Sequence, residues 1–218
     1  YAVEHTAAMG GKVCWLPTLT AENHFRWEKQ SGWVHPASTT KIRPATVIKV
    51  LTENREVRDD LKEIIDVCAR TGMALASGHL HVSETWIVFE EAKKRGVTRM
   101  VVTHPEEIVD ASLNDVKGLA AMGAFIEHSL CMFLDGCKFQ HAKGPDLIDQ
   151  IKAAGVESTM FSSDLGQVGK GAFHPIEAFR RAIKICVDHG YSDADIRKMV
   201  STNSARALGL ETDLPAAA

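Results

Sequence analysis

Histidine and aspartate residues stand directly after several short apolar segments of the chain. His79 follows the segment 73–76 and Gly78, His104 follows 99–102, and Asp164 follows 159–161. Short apolar runs of this kind are typical of buried strands, and parallel strands bring their carboxyl ends to one edge of a sheet. Neutral imidazole and carboxylate are ligands that zinc and similar divalent metals prefer. The sequence therefore predicts a metal site formed by His79, His104 and Asp164.

Other histidines stand close to the same strand ends. His81 comes two residues after His79, a spacing that places both on one side of an extended chain. His128 follows a predicted strand at 124–127, and Glu127 should then face the opposite side. His81 and His128 are predicted to orient ligands or contact substrate, and a purely structural role for either remains open. His174 lies in the loop after Asp164 and is a further candidate for substrate contact.

Strand and helix patterns alternate along most of the chain, which predicts a parallel α/β fold with right-handed crossovers. Gly72, Gly96, Gly155 and Gly190 close helices, and Ser83 is the expected N-cap of one of them. Predicted strands cover 13–16, 73–76, 99–102, 124–127 and 159–161; predicted helices cover 59–70, 84–95, 113–122, 145–154, 175–189, 193–200 and 203–208.

The segment 20–57 is predicted to be an insertion in this pattern. Its polar part, 20–40, is too long for an ordinary connection and carries His24, Arg26 and Trp33, which predicts part of a substrate lid. An ordinary surface insertion is the competing interpretation. Residues 46–51 are predicted to form a short extra strand, with a return strand at Val57.

Composition limits the classes of function. The 218 residues carry a formal net charge of −3, so no basic field indicates nucleic acid or acidic lipid as a partner. No apolar run reaches the roughly 18 residues that a membrane helix needs, and the start of the chain does not read as a signal peptide. Five cysteines without a Cys-x-x-Cys motif indicate reduced thiols and a cytoplasmic protein. A metal-binding role for Cys131 and Cys137, which flank a loop-like stretch, is the lesser alternative. Glycine-rich phosphate loops are absent from the sequence.

The motifs at the strand ends resemble the amidohydrolase superfamily of metal-dependent hydrolases, in an uncharacterised branch. Their order and spacing span roughly residues 10–210. The motifs that carry the resemblance are Trp15-Leu16-Pro17-Thr18, Gly78-His79, Val102-Thr103-His104-Pro105, Ser162-Ser163-Asp164-Leu165-Gly166-Gln167 and Asn203-Ser204-Ala205-Arg206-Ala207-Leu208-Gly209-Leu210.

The resemblance implies a (β/α)8 TIM barrel in which residues 1–218 are a single domain holding the C-terminal five strand–helix units. The first three strands, with their His-x-His metal ligands, have no counterpart in the sequence, and such a barrel typically needs about 250 residues. His79 then matches the fifth-strand ligand, His104 the sixth-strand ligand and Asp164 the eighth-strand aspartate. Pro17-Thr18 replaces the lysine or carboxylate that often bridges two metals, so the number of ions in the site, one or two, remains open.

The implied activity is hydrolysis of an amide, lactone or ester bond of a small molecule by metal-activated water, with Asp164 as proton shuttle. Zinc is the expected ion, and manganese or iron are alternatives. Gln167, His24 and His174 are candidate substrate contacts. Two other interpretations remain open, a metal-dependent decarboxylase of the same superfamily and a metal-binding subunit without turnover. A homo-oligomer is also left open.

Overall fold

The computed structural model describes residues 1–32, 44–166, 171 and 173–210. Within these ranges, five short strands form one parallel sheet whose spatial order is the order of the sequence. The predicted strand–helix alternation is confirmed, with shifts of one or two residues at strand ends. The strands are β1 (Val13–Trp15), β2 (Ala74–Ala76), β3 (Met100–Thr103), β4 (Phe125–Ser129) and β5 (Thr159–Ser162).

Helices precede, connect and follow the strands. A 3₁₀ turn (Leu130–Met132) follows β4, and a π-helical turn (Lys198–Thr202) joins the last two helices. The helices are α1 (Ala2–Ala8), α2 (Glu22–Ser31), α3 (Asp59–Thr71), α4 (Val82–Lys94), α5 (Leu113–Met122), α6 (Gly144–Ala154), α7 (Pro175–Asp188), α8 (Asp193–Arg197) and α9 (Asn203–Leu208). Among the described residues, no helix is long and apolar enough to cross a membrane.

The two faces of the sheet follow the alternation of side chains along each strand. Leu75, Val102 and Ile126 belong to the large core beneath the helices. Ala74, Ala76 and Val101 face the other way and pack in a small cluster with Ala207 of α9. At the carboxyl ends of the strands, residues of this second face line a cavity.

The region predicted as an insertion contains a helix. Helix α2 occupies most of the first half of 20–57, and residues 33–43, including Trp33, lie outside the described residues. The extra strand predicted at 46–51 is wrong, because only isolated bridges, Ala21 to Ile48 and Leu51 to Val57, form there. Single bridges leave the rest of this segment outside any ladder, so it does not extend the sheet.

Candidate active site at the carboxyl edge of the sheet

Gly78 sets the position of His79. It follows β2 with a φ of +57°, and a Cβ added there would lie 2.4 Å from the carbonyl oxygen of Leu16. The next amide, that of His79, donates to the carbonyl oxygen of Pro17 at 3.0 Å. Only glycine combines this backbone conformation with such a close approach. The chain after β2 is therefore held against the end of β1, with His79 above the sheet edge.

His104 and Asp164 both sit in backbone conformations that side chains rarely adopt. Their φ values are +24° and +46°, in the region that favours glycine. Each such residue costs about 1–3 kcal/mol, and such strain tends to collect at functional sites. His104 follows β3 directly, and Asp164 comes two residues after β5. Both side chains are thus turned over the carboxyl edge at a cost in folding free energy.

These residues line one cavity of about 580 Å³. His79, His104 and Asp164 therefore meet in one place, as the order of the strand ends predicted. The cavity also has a mostly apolar wall. Its lining includes Trp15, Leu19, Trp27, Ile108, Met132 and Phe139 on the apolar side, and His24, Glu127 and Ser162 among the polar groups.

His24 belongs to the site as a buried neighbour of His79. It lies on α2 and is only 2% exposed, and its Nδ1 lies 2.8 Å from Nδ1 of His79. Its Nε2 lies 3.2 Å from Oε1 of Glu28. A carboxylate beside Nε2 favours the tautomer that carries its proton there. His24 Nδ1 then accepts a hydrogen bond from the protonated Nδ1 of His79, and Nε2 of His79 keeps its lone pair.

Asn23, the neighbour of His24 on α2, fastens this helix to the site. Its Nδ2 donates to the carbonyl oxygens of His79 at 3.1 Å and Ile108 at 2.6 Å. Asn23 is 4% exposed, and a buried amide that satisfies two carbonyl groups fixes the two segments together. No sequence pattern indicates this role for Asn23, since a single asparagine in a polar stretch has many possible roles.

His104 completes a row of three imidazoles. Its ring centroid lies 4.8 Å from that of His79, which in turn lies 4.8 Å from that of His24. His104 is 4% exposed, and its Nδ1 is buried with no hydrogen-bond partner in the described part of the chain. A buried polar atom without a partner costs about 1–3 kcal/mol. This nitrogen is therefore available to a ligand in the cavity.

Glu127 is the acidic residue that faces the cavity from β4. Ser162 Oγ donates a short hydrogen bond to its Oε1, while Oε2 is buried without a partner among the described residues. Burial raises the pKa of Glu127, and the hydrogen bond from Ser162 and the nearby His104 oppose that rise. The sequence analysis predicted that Glu127 and His128 face opposite sides of the sheet, and the structure agrees. It named His128 as the candidate site residue, whereas Glu127 is the one of the two that lines the cavity.

Asp164 reaches the cavity from the loop after β5. Burial raises the pKa of its carboxyl group, and the neighbouring His104 and Cys131 act in the opposite direction. Cys131 Sγ lies 3.9 Å from Oδ2 of Asp164. The carboxyl group is therefore held partly away from water, next to the imidazole of His104.

Two comparisons with known proteins bear on this geometry. The model of a family of unknown function, DUF6282, matches residues 1–127, which is more than half of the chain. The chain belongs to DUF6282. No curated protein matches this DUF6282 chain in sequence.

Solved structures share the fold of this DUF6282 chain. An amidohydrolase from Pseudomonas aeruginosa superposes with a TM-score of 0.63 at 14% identity, over 95% of this chain and 66% of that one. An amidohydrolase from Burkholderia multivorans with bound zinc superposes with a TM-score of 0.53 at 16% identity, over 96% of this chain and 78% of that one. The structure of the same enzyme with bound HEPES has a TM-score of 0.50 at 15% identity, over 70% of this chain and 58% of that one. The chain thus spans about two thirds of the first structure, and these likenesses show the fold of the TIM-barrel amidohydrolases, of which the five-stranded sheet is a part.

The donor set of the DUF6282 site fits a divalent metal in its chemistry. Burial, and then the neighbouring His104 and His24, lower the pKa of His79 to about 2, so its imidazole is neutral as a ligand must be. Nδ1 of His104 and Oε2 of Glu127, both buried without a hydrogen-bond partner among the described residues, are also free to act as metal ligands. Within the described ranges, no three His, Cys, Asp or Glu side chains are already gathered as a metal-binding group. The donors face one cavity, and binding requires side chains to turn toward the ion.

The structure separates His81 from the site, contrary to the prediction that it shares a side with His79. Gly78 and His79 form a turn in which the amide of Leu80 donates to the carbonyl oxygen of Ser77 at 3.4 Å, so residues 79–81 are not extended. His81 instead caps α4, where its Nδ1 accepts from the amide of Ser83 at 3.1 Å. The predicted N-cap, Ser83, is therefore wrong by two residues.

The remaining candidates lie away from the cavity lining or outside the described residues. His128 is fully buried on the helix side, with Nδ1 2.7 Å from Oε1 of Glu106. His174 is exposed and caps α7, where Nδ1 accepts from the amide of Ile176 at 3.3 Å. Gln167 lies outside the described residues.

Proposed function

We propose that the chain is a metal-dependent hydrolase that cleaves an amide, lactone or ester bond of a small molecule. The observation that carries the proposal is the convergence of His79, His104 and Asp164 in one 580 Å³ cavity at the carboxyl edge of a parallel sheet. Catalytic groups occupy this edge in TIM-barrel enzymes. Two of the three residues, His104 and Asp164, adopt backbone conformations that side chains rarely take, and such strain tends to collect at functional sites.

His79 and His104 would hold the ion, with Asp164 beside it. Zinc is the first candidate because imidazole and carboxylate are its usual ligands, and manganese and iron remain alternatives. When bound, such an ion lowers the pKa of a coordinated water and polarises the scissile carbonyl group. His24 would act through His79, because the Nδ1–Nδ1 contact of 2.8 Å orients the ring and leaves Nε2 for the ion.

Asp164 would move the proton in this reaction. A carboxyl group whose pKa is raised by burial takes a proton from attacking water more readily and can return it to the leaving group. Glu127 and Ser162, joined by a hydrogen bond, lie in the same cavity and would bind a polar group of the substrate. The apolar wall formed by Trp27, Met132 and Phe139 would hold the rest of the substrate and exclude water.

The first experiment asks whether Asp164 has a role separate from metal binding. The protein is loaded with zinc, manganese or iron and assayed on a panel of esters, lactones and amides. Asp164→Asn should keep the metal and lose about 100-fold or more of kcat, in the range that a missing proton-transfer group causes. The exposed Asp149 on α6 provides the control, Asp149→Asn, which should not change kcat. Unchanged turnover in Asp164→Asn contradicts the proton-transfer role.

The second experiment tests the ligand assignment. The double variant His79→Ala, His104→Ala should contain no stoichiometric metal by elemental analysis after dialysis. Retained metal contradicts the assignment. Release of carbon dioxide from an acid substrate, without hydrolysis on the panel, would identify a decarboxylase and overturn the hydrolase proposal. Stoichiometric metal with no turnover on either panel would indicate a binding protein.

A further inference from the structure

A second recess lies next to the cavity. Its volume is about 530 Å³, and Trp27 and Glu107 line both spaces. We call it the acidic recess, because its polar lining is dominated by Glu106, Glu107, Asp110 and Asp146, with His141 as its basic group. A molecule bound in the cavity would reach the acidic recess by passing these two shared side chains.

The charge of the acidic recess is negative and poorly balanced. No lysine or arginine is among its described lining residues. His141 Nδ1 lies 3.7 Å from Oε1 of Glu107, and His81 Nε2 lies 3.7 Å from Oδ2 of Asp110. Asp146 accepts a hydrogen bond from the amide of Lys143 at the start of α6. Arg26 lines a smaller neighbouring recess, where its guanidinium donates to Oδ1 of Asn23 at 3.2 Å.

Glu106 supplies an observation that points to a ligand. This residue is 6% exposed, and its Oε1 lies 2.7 Å from Nδ1 of His128. Its other oxygen, Oε2, is buried and has no hydrogen-bond partner in the described part of the chain. Leaving a buried carboxylate oxygen unpaired is costly, and a donor entering the acidic recess would remove that cost. A cationic donor would also offset the surrounding carboxylates.

The shape and lining of the acidic recess favour an organic cation over a metal ion. Trp27 and Phe133 line the recess together with the carboxylates. Aromatic faces beside carboxylates are a typical setting for ammonium and guanidinium groups, which gain from both hydrogen bonds and cation–π contact.

We propose that the acidic recess binds the ammonium or guanidinium end of the substrate whose amide, lactone or ester bond lies over His79 and His104. This assignment rests on the proposed function for the position of the scissile bond. The substrate class is therefore a carbonyl compound with a cationic side arm. Glu106 and Asp110 set the specificity, and Trp27 forms the wall along which the arm passes.

Binding is tested first, in a form that does not depend on turnover. Benzylamine and benzyl alcohol, which have similar size but different charge, are titrated into the full-length protein by calorimetry and by NMR. Benzylamine should bind at least about tenfold more tightly, and this preference should fall on adding 0.5 M salt. Glu106→Gln, which keeps an acceptor for His128, and the exposed Asp110→Asn should each remove most of it. Glu63→Gln, an exposed carboxylate on α3, is the control and should preserve it.

Equal binding of the two probes, or a preference that survives in both variants, overturns the proposal. Catalysis then decides whether the cationic group belongs to the substrate. Esters with matched cationic and neutral side arms are compared, and kcat/KM should favour the cationic one by at least about tenfold in the wild type only. If hydrolysis occurs with no such preference, the acidic recess is not a substrate site while the proposed function stands. If no ester is hydrolysed but the amine preference follows Glu106, the proposed function fails and the binding site stands.

Discussion

The Nδ1 atoms of His24 and His79 lie 2.8 Å apart, so one imidazole must donate a hydrogen bond to the other. Glu28 lies beside the far nitrogen of His24 and biases that ring to hold its proton there. The donor of the pair is then His79, whose Nε2 is left as a base. Residues from α2 and from the end of β2 thus determine together which nitrogen of His79 is available to a ligand.

His24 should therefore control metal affinity without contacting the metal. His24→Gln is expected to lower zinc affinity about 10–100-fold while the saturated protein still binds the same number of ions, as partners of ligand histidines usually do. Glu28→Gln should act in the same direction with a smaller effect, because it removes only the bias on the tautomer. Competition titration with a chromogenic chelator measures both. His5→Gln, an exposed histidine on α1, should match the wild type. A wild-type dissociation constant in His24→Gln would refute this role.

The strand ends were predictable from the sequence because the signal is local. Each of β2, β3 and β5 is a short apolar run, and the first polar ligand-type residue after it is His79, His104 or Asp164. Parallel strands then bring those residues to one edge without further information. The likeness to amidohydrolase structures confirms the predicted fold, and the roles of these three residues stay predictions.

The rest of the site depends on contacts between distant segments. Period-two alternation shows that Glu127 and His128 face opposite sides, but both faces of β4 are buried, so the pattern does not tell which face is the cavity. His24 lies on a helix with a mean polar character, and its burial comes from the neighbouring segments, not from its own periodicity. The turn at Gly78 and His79, which ends the extended conformation before His81, leaves no trace in residue spacing.

Gly78 should be intolerant of any side chain. In Gly78→Ala the new Cβ would lie 2.4 Å from the carbonyl oxygen of Leu16 and 2.6 Å from that of Pro17, both of them backbone atoms. We expect a loss of at least about 3 kcal/mol in the free energy of unfolding, together with loss of metal binding at His79. Gly96→Ala is a matched control, since its φ is +90° but nothing lies within 4 Å of the added Cβ. It should lose only about 1 kcal/mol. Urea denaturation compares them, and equal losses would show that the close contact is unimportant.

Glu127 should destabilise the metal-free protein at neutral pH. Burial raises its pKa in the folded state, so its contribution to stability is complete below the unfolded value of about 4.3 and is lost as pH rises through the folded value. Glu127→Gln stays neutral at every pH and still offers an oxygen to Ser162 Oγ. The variant should therefore unfold at a higher urea concentration than the wild type at pH 8. The difference should shrink toward zero at pH 4. Glu63→Gln, at an exposed position, should show no such pH-dependent gap. A variant less stable than the wild type at pH 8 would mean that the ionised carboxylate is stabilised by its surroundings, and its role as a buried, unpaired acid would be wrong.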